Sequence, residues 1–99
     1  MVKINWTQLA LSDLEDIHEY ISDDSQRYAQ ITVNKIYNRV ESLIKQPYSG
    51  RIVPEFEDTS IRELIEGNYR NVHYLVDEER IDILRIYHTA RKMEKSKLK

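Results

Sequence analysis

The sequence predicts an α+β fold, in which a helical hairpin near the N-terminus packs on one face of an antiparallel sheet. Apolar residues recur at helical spacing over residues 8–22 and 26–45, whereas residues 61–88 are rich in β-branched and aromatic residues and end in clean alternation. A chain of 99 residues has room for one core. Helices followed by strands around one core indicate a two-layer α+β domain.

The first half of the chain predicts one strand and two helices. Residues 2–6 alternate between apolar and polar, as a strand does, and Thr7 can cap the helix that follows. The apolar face of this first helix consists of Ala10, Leu14, Ile17 and Ile21. The second helix repeats at spacings of four and three, and Pro47 sets its latest possible end; its apolar residues are Ala29, Val33, Ile36, Val40 and Leu43.

The second half predicts a short extended piece followed by three strands, which tight turns connect. A short extended piece over residues 51–53 comes first, and a strand follows over residues 61–66. Gly67-Asn68 is a two-residue hairpin signal that leads into a strand over residues 69–76. The last strand, residues 80–88, alternates between two faces. The predicted order is β-α-α-β-β-β, with one face of the sheet open to solvent.

Composition excludes several classes of site. Because the chain has no cysteine, disulfides, thiolate metal sites and cysteine nucleophiles are absent. The sequence also lacks phosphate-loop and dinucleotide fingerprints, and its three histidines are scattered, so neither a cofactor nor a metal is expected. No apolar run has the length of a signal peptide or a membrane span, which predicts a cytoplasmic protein with no membrane contact.

Charge is unevenly distributed along the chain. Six acids and no Lys or Arg lie between Leu11 and Asp24, whereas the stretch from Arg80 to the end has a net charge of +5. Such asymmetry indicates either a basic face for nucleic acid or an acidic peptide, or a solvated lysine-rich tail. Both interpretations stay open. The predicted domain covers residues 1–91, and residues 92–99 form a basic C-terminal tail.

A small group of residues near one end of the sheet could carry chemistry. Pairing through the turn at residues 77–79 places the start of the strand with Arg70 beside the end of the strand with His88, and Arg91 follows shortly after. Arginine can hold a phosphate through two hydrogen bonds, and histidine exchanges protons near neutral pH. Alternatively, the two arginines form surface ion pairs and His88 is an ordinary strand-end residue.

An ordered series of residues over about 90 positions carries a family resemblance. The series consists of Trp6, Ala10, Leu14, Ile17, Tyr20-Ile21, Pro47, Gly50-Arg51, Val53-Pro54-Glu55, Arg62-Glu63-Leu64, Gly67-Asn68-Tyr69-Arg70, Tyr74, Ile83-Leu84, His88 and Arg91. It resembles the RelE/ParE superfamily of toxins from type II toxin–antitoxin modules, and within it the ParE, or plasmid-stabilisation, branch. The resemblance implies a growth inhibitor that a cognate antitoxin protein neutralises.

The resemblance leaves two targets. ParE-like members poison DNA gyrase, whereas RelE-like members enter the ribosome and cleave mRNA. Gyrase is favoured, because Glu63 and Glu66 stand where the cleaving members carry lysines and because residues 92–99 contain no tyrosine.

Whether the chain is an enzyme depends on this choice. Under the alternative, it is a metal-independent endoribonuclease in which Arg70 contacts phosphate, His88 exchanges protons and Arg91 adds a second basic group. Glu55 is then a possible base.

Overall fold

The computed structural model describes residues 2–89, which form two helices on one face of a five-stranded sheet. In chain order the elements are β1 (Lys3–Trp6), α1 (Gln8–Ser22), α2 (Gln26–Glu41), β2 (Arg51–Ile52), β3 (Ile61–Glu66), β4 (Tyr69–Leu75) and β5 (Arg80–His88). Across the sheet the strand order is β1-β5-β4-β3-β2. The predicted α+β class, with its N-terminal helical hairpin, is confirmed.

The sheet is mixed rather than purely antiparallel. β1 runs parallel to β5, with Lys3 opposite Arg80 and Trp6 opposite Ile83, while the other three strand pairs are antiparallel. The prediction of an antiparallel sheet is therefore wrong at this one pair. Alternation of side chains is the same in both kinds of strand, so the sequence pattern does not reveal the direction of pairing. β2 is a fifth strand of two residues, formed by the extended piece that the sequence predicted.

Both helices begin at side-chain caps. The Thr7 hydroxyl accepts a hydrogen bond from the Ala10 N–H at 3.2 Å and donates one to the Ile83 carbonyl at 2.6 Å, so it joins α1 to β5. The Ser25 hydroxyl accepts from the Tyr28 N–H at 3.1 Å. α2 ends at Glu41 and tightens into a 3₁₀ turn over Ser42–Ile44, earlier than the predicted end at residue 45.

The main core lies between the helices and the sheet. Ile36 and Val40 of α2 are fully buried there against Ile81 and Ile83 of β5. We call this side of the sheet the helix face. Burial of an aliphatic side chain contributes roughly 1.5–3 kcal/mol, so this layer fixes the hairpin on the sheet.

The other side of the sheet, the loop face, is partly covered. In the loop between β2 and β3, Val53 and Phe56 are buried and pack with Val72 and Tyr87 of the sheet. The prediction of an open second face is wrong over this area. The loop has no periodic apolar pattern, so no local sequence signal predicts that it packs on the sheet.

A glycine lets the chain approach β3 just before β2. Gly50 has a φ of +96°, and a Cβ on it would lie 2.7 Å from the Glu63 carbonyl oxygen. The adjacent Arg51 thereby pairs with Glu63 across the two strands. Arg91 and the predicted tail, residues 92–99, lie outside the described residues, so the domain boundary between them stays a prediction.

Candidate functional site

Arg70 is the second residue of β4, and its side chain lies on the loop face. It is only 6% exposed. Its guanidinium makes a two-point contact with Glu55, donating to each carboxylate oxygen at 2.8 Å. It also donates to Glu63 from Nε and from Nη2, the latter at 2.6 Å.

These residues belong to a four-charge cluster that links β2, the following loop, β3 and β4. Glu63 is 1% exposed and also accepts hydrogen bonds from Arg51, at 3.1 Å from Nε and 2.9 Å from Nη2. We call Arg51, Glu55, Glu63 and Arg70 the Arg70 cluster. Its formal charges cancel, which compensates the burial of Glu63.

Electrostatics hold Arg70 as a cation in this position. The hydrogen bonds that Arg70 donates to Glu55 contribute most to raising the pKa of Arg70, burial acts in the opposite direction, and Glu63 raises it further. A phosphate that reached this guanidinium would compete with two carboxylates already bound to it. The cluster therefore anchors the loop at Glu55 and leaves Arg70 little capacity for an added anion.

His88 is the last residue of β5, and its side chain lies on the helix face. It is exposed and meets Tyr69 of β4 edge-on, with 5.8 Å between ring centroids and 85° between ring planes. A groove of about 410 Å³ opens beside it between α1 and the ends of β4 and β5. We call this the α1 groove; its lining residues are Asp13, Asp16, Ile17, Tyr20, Tyr69, Ile86 and His88.

The pairing register between β4 and β5 shows that two candidate site residues, Arg70 and His88, do not lie together. Arg70 pairs with Tyr87, and Tyr69 pairs with His88. Because neighbouring residues of a strand point to opposite faces, Arg70 and His88 lie on opposite faces of the sheet. The structure brings Glu55 to Arg70 as an ion-pair partner and leaves His88 apart from both, while Arg91 is outside the described residues.

Sequence reasoning missed Glu63 as the buried partner of Arg70. The family resemblance groups Glu63 with Glu66, because both stand where the cleaving members carry lysines. The structure separates them: Glu63 contacts Arg70 on the loop face, whereas Glu66 lines a second groove on the helix side. A signal existed, because a two-residue turn at Gly67-Asn68 fixes the register, and that register puts Glu63 and Arg70 diagonally on one face.

The second groove lies between α2 and the β3–β4 turn and has a volume of about 240 Å³. We call it the α2 groove. Exposed Tyr28 and Ile31 of α2 form its apolar wall, Lys35 and Glu66 contribute opposite charges, and Tyr69 separates it from the α1 groove. Burial, together with the nearby Tyr28 and Tyr20, raises the pKa of Tyr69, so its hydroxyl stays protonated at neutral pH.

An ion pair closes one wall of the α1 groove. Arg85 donates to Asp13 at 2.8 and 3.0 Å, and the Ile86 N–H donates to the same carboxylate at 2.9 Å. These bonds join α1 to β5 and leave Asp16 as the exposed acid of the groove. Within residues 2–89 no three His, Asp or Glu side chains are placed to hold a metal ion, and no helix there is long and apolar enough to cross a membrane.

Comparison with known families identifies the family of this chain. The model for "ParE toxin of type II toxin-antitoxin system, parDE" matches residues 4–93. The chain belongs to the ParE toxin family. A member of the wider superfamily, Toxin RelE2 of Caulobacter vibrioides, is 32% identical over 91 residues, which cover 92% of this chain and 99% of that protein.

Two solved structures share the ParE-family fold. A chain of the chromosomal ParDE toxin–antitoxin system from P. aeruginosa superposes with a TM-score of 0.70 and 26% identity, over 89% of this chain and 96% of that one. A chain of the toxin–antitoxin complex RelBE2 from Mycobacterium tuberculosis superposes with a TM-score of 0.63 and 19% identity, over 88% and 96% respectively. At that identity the second likeness shows the fold alone. The expected membership of the RelE/ParE superfamily is confirmed.

Proposed function

We propose that this ParE-family chain arrests growth by inhibiting DNA gyrase, and that it does not cleave mRNA. The observation that carries the choice is the state of Arg70. Its side chain is buried, and Glu55 and Glu63 occupy its guanidinium with hydrogen bonds of 2.6–3.2 Å. An arginine bound in this way is a structural cation rather than a phosphate ligand.

The charges around Arg70 also disfavour the binding of RNA. An RNA phosphate approaching Arg70 would meet two carboxylates within hydrogen-bond distance of the same guanidinium. Each repels the phosphate, and removing either one from Arg70 costs a charge-assisted hydrogen bond. Cleavage also needs proton transfer at the same phosphodiester, and His88 lies on the opposite face of the sheet. Gyrase inhibition requires only a binding surface.

Ribosome-dependent mRNA cleavage is the second candidate, and one observation favours it. The chain is 32% identical, over nearly its full length, to a protein named Toxin RelE2. Under this candidate His88 would move protons from its exposed position, and Arg70, Arg91 and Glu55 would complete the site. Arg70 would then have to release a carboxylate before it could hold a phosphate.

Two assays with the purified chain separate the candidates. We expect inhibition of supercoiling by DNA gyrase, and no codon-specific cuts when the chain is added to ribosomes programmed with a defined mRNA. His88→Gln, matched by His18→Gln on α1, should leave the gyrase effect unchanged. Active gyrase together with mRNA cuts that His88→Gln abolishes, but His18→Gln does not, would reverse the assignment.

A cognate antitoxin is the expected partner. Exposed Tyr28 and Ile31 at the α2 groove offer an apolar surface. Within residues 2–89 no strand pairs with the outer edge of β1, which offers backbone hydrogen-bonding groups. An antitoxin segment can add to them as a helix and a strand. Expression of this chain alone should arrest a bacterial host, and co-expression of the adjacent small open reading frame should restore growth. Normal growth with folded protein present would contradict the toxin assignment.

A further inference from the structure

The α1 groove and the α2 groove form one continuous surface, because Tyr69 lines both. The α2 groove carries one positive and one negative side chain, Lys35 and Glu66. The α1 groove differs, since none of its lining residues within residues 2–89 is Lys or Arg, whereas two are aspartates. The surface is therefore balanced in charge at one end and acidic at the other.

The two aspartates of the α1 groove have different surroundings. Asp13 is bound to Arg85 and to the Ile86 N–H. Asp16 is exposed, and in the part of the chain that the structure describes it forms no ion pair. Its charge is not offset along the helix either, since α1 contains four acids and no Lys or Arg. Asp16 is therefore the carboxylate of this groove that can bind a cation of a partner.

Aromatic rings line the same groove as this carboxylate. Tyr20, one turn after Asp16 on α1, is 79% exposed, and Tyr69 lies in the groove wall. The face of a tyrosine ring attracts cations, and a neighbouring carboxylate adds a full negative charge. Ile17 and Ile86 supply apolar surface beside them. A lysine or arginine fits these surroundings, because its stem is apolar and its head is charged.

We infer that the antitoxin segment that binds the α2 groove continues across Tyr69 and places a lysine or arginine in the α1 groove, against Asp16 and Tyr20. The inference rests on the proposed function, in which a cognate antitoxin is the partner. Apolar side chains of the segment fill the α2 groove, and its cation lies at the acidic end of the surface. Because only that end is acidic, the contact fixes the direction in which the segment binds.

Two isosteric substitutions on α1 test this contact in the complex of the full chain with its antitoxin. Asp16→Asn and Glu15→Gln each remove one negative charge from an exposed side chain of the same helix, but only Asp16 lines the α1 groove. We expect Asp16→Asn to raise the dissociation constant about tenfold, and Glu15→Gln to change it by less than about twofold, in surface plasmon resonance at low salt. In about 0.5 M NaCl, where the Debye length falls to roughly 4 Å, the difference between the two variants should shrink.

Charge reversal identifies the side chain of the partner. Asp16→Lys should weaken the complex more than Asp16→Asn, because it places two cations together. Replacement of one antitoxin lysine or arginine by glutamate should then restore binding to the Asp16→Lys variant, while it weakens binding to the unaltered chain. If no single replacement in the antitoxin restored binding, the inferred pair would be wrong.

The remaining outcomes separate this inference from the proposed function. Equal losses of affinity in Asp16→Asn and Glu15→Gln would overturn the inference and leave the toxin assignment intact. Self-association that rises with protein concentration and that Asp16→Asn abolishes would also overturn it, because the groove would then belong to a second copy of the chain. Failure of the unaltered chain to bind the antitoxin would contradict both the inference and the proposed partner.

Discussion

His73, near the middle of β4, is a buried imidazole on the helix face of the sheet. It is 1% exposed. Burial lowers its pKa to about 4 from an ordinary value of 6.5, and the positive charge of Arg62 acts in the same direction. In the unfolded chain the same residue binds a proton at its ordinary pKa, so folding favours the neutral form.

This difference predicts that stability falls with acid. Below about pH 6.5 the unfolded state gains a proton that the folded state binds only near pH 4, so the free energy of unfolding decreases through this window by about 3 kcal/mol. His73→Leu should remove most of that loss in urea titrations at a series of pH values. His18→Gln is the control and should keep it. An unchanged pH slope in His73→Leu would contradict the assignment.

At the scale of elements, the Arg70 cluster holds the loop after β2 on β3 and β4. Arg70→Leu removes one partner of Glu63 and leaves a buried carboxylate bound only to Arg51, which is mostly exposed. The expected loss of stability is about 3–5 kcal/mol, because Glu63 keeps the desolvation cost of a buried charge and retains only a mostly exposed partner. Denaturant unfolding measures it directly.

A double variant distinguishes charge from packing in the same cluster. Glu63→Leu combined with Arg70→Leu removes both buried charges and should recover most of the stability that Arg70→Leu loses. Glu55→Gln, at the partly exposed end, should cost roughly 1 kcal/mol. If the double variant were less stable than Arg70→Leu alone, packing around the Arg70 stem rather than charge would dominate.

The same elements show what a sequence can and cannot predict. Helical periodicity predicted α1 and α2, and Gly67-Asn68 predicted the β3–β4 turn, because those signals are local. The parallel pairing of β1 with β5 depends on the path of the whole chain and leaves no local mark. The sequence indicated Arg70 as a candidate site residue. It did not indicate the ion pair with Glu55, because Glu55 lies in a loop without any periodic pattern.

Across the whole molecule, the two cores are coupled because they share one sheet. β5 contributes Ile81, Ile83 and Ile86 to the core under the helices and Tyr87 to the core under the loop. Loss of either layer exposes the backbone of the same central strands. The part of the chain that the structure describes, residues 2–89, should therefore unfold in one cooperative step.

Trp6 is the natural probe for that cooperativity. It is the only tryptophan, lies in the edge strand β1, and stacks on Tyr37 of α2 with 5.9 Å between centroids and 5° between planes. In the part of the chain that the structure describes, β1 pairs with one strand, β5. If it separated early, Trp6 fluorescence would change before the helical signal.

We expect the Trp6 fluorescence transition and the far-ultraviolet circular dichroism transition to coincide in denaturant, since Val2, Ile4 and Trp6 all pack on the main core. Tyr37→Leu should shift both transitions together by a small amount, as only the aromatic stack is lost. A fluorescence midpoint clearly below the dichroism midpoint would show that β1 detaches first. With one cooperative unit, any loss of toxicity in Arg70 variants has to be compared with their folded fraction, because the Arg70 cluster supports the sheet to which every proposed binding surface belongs.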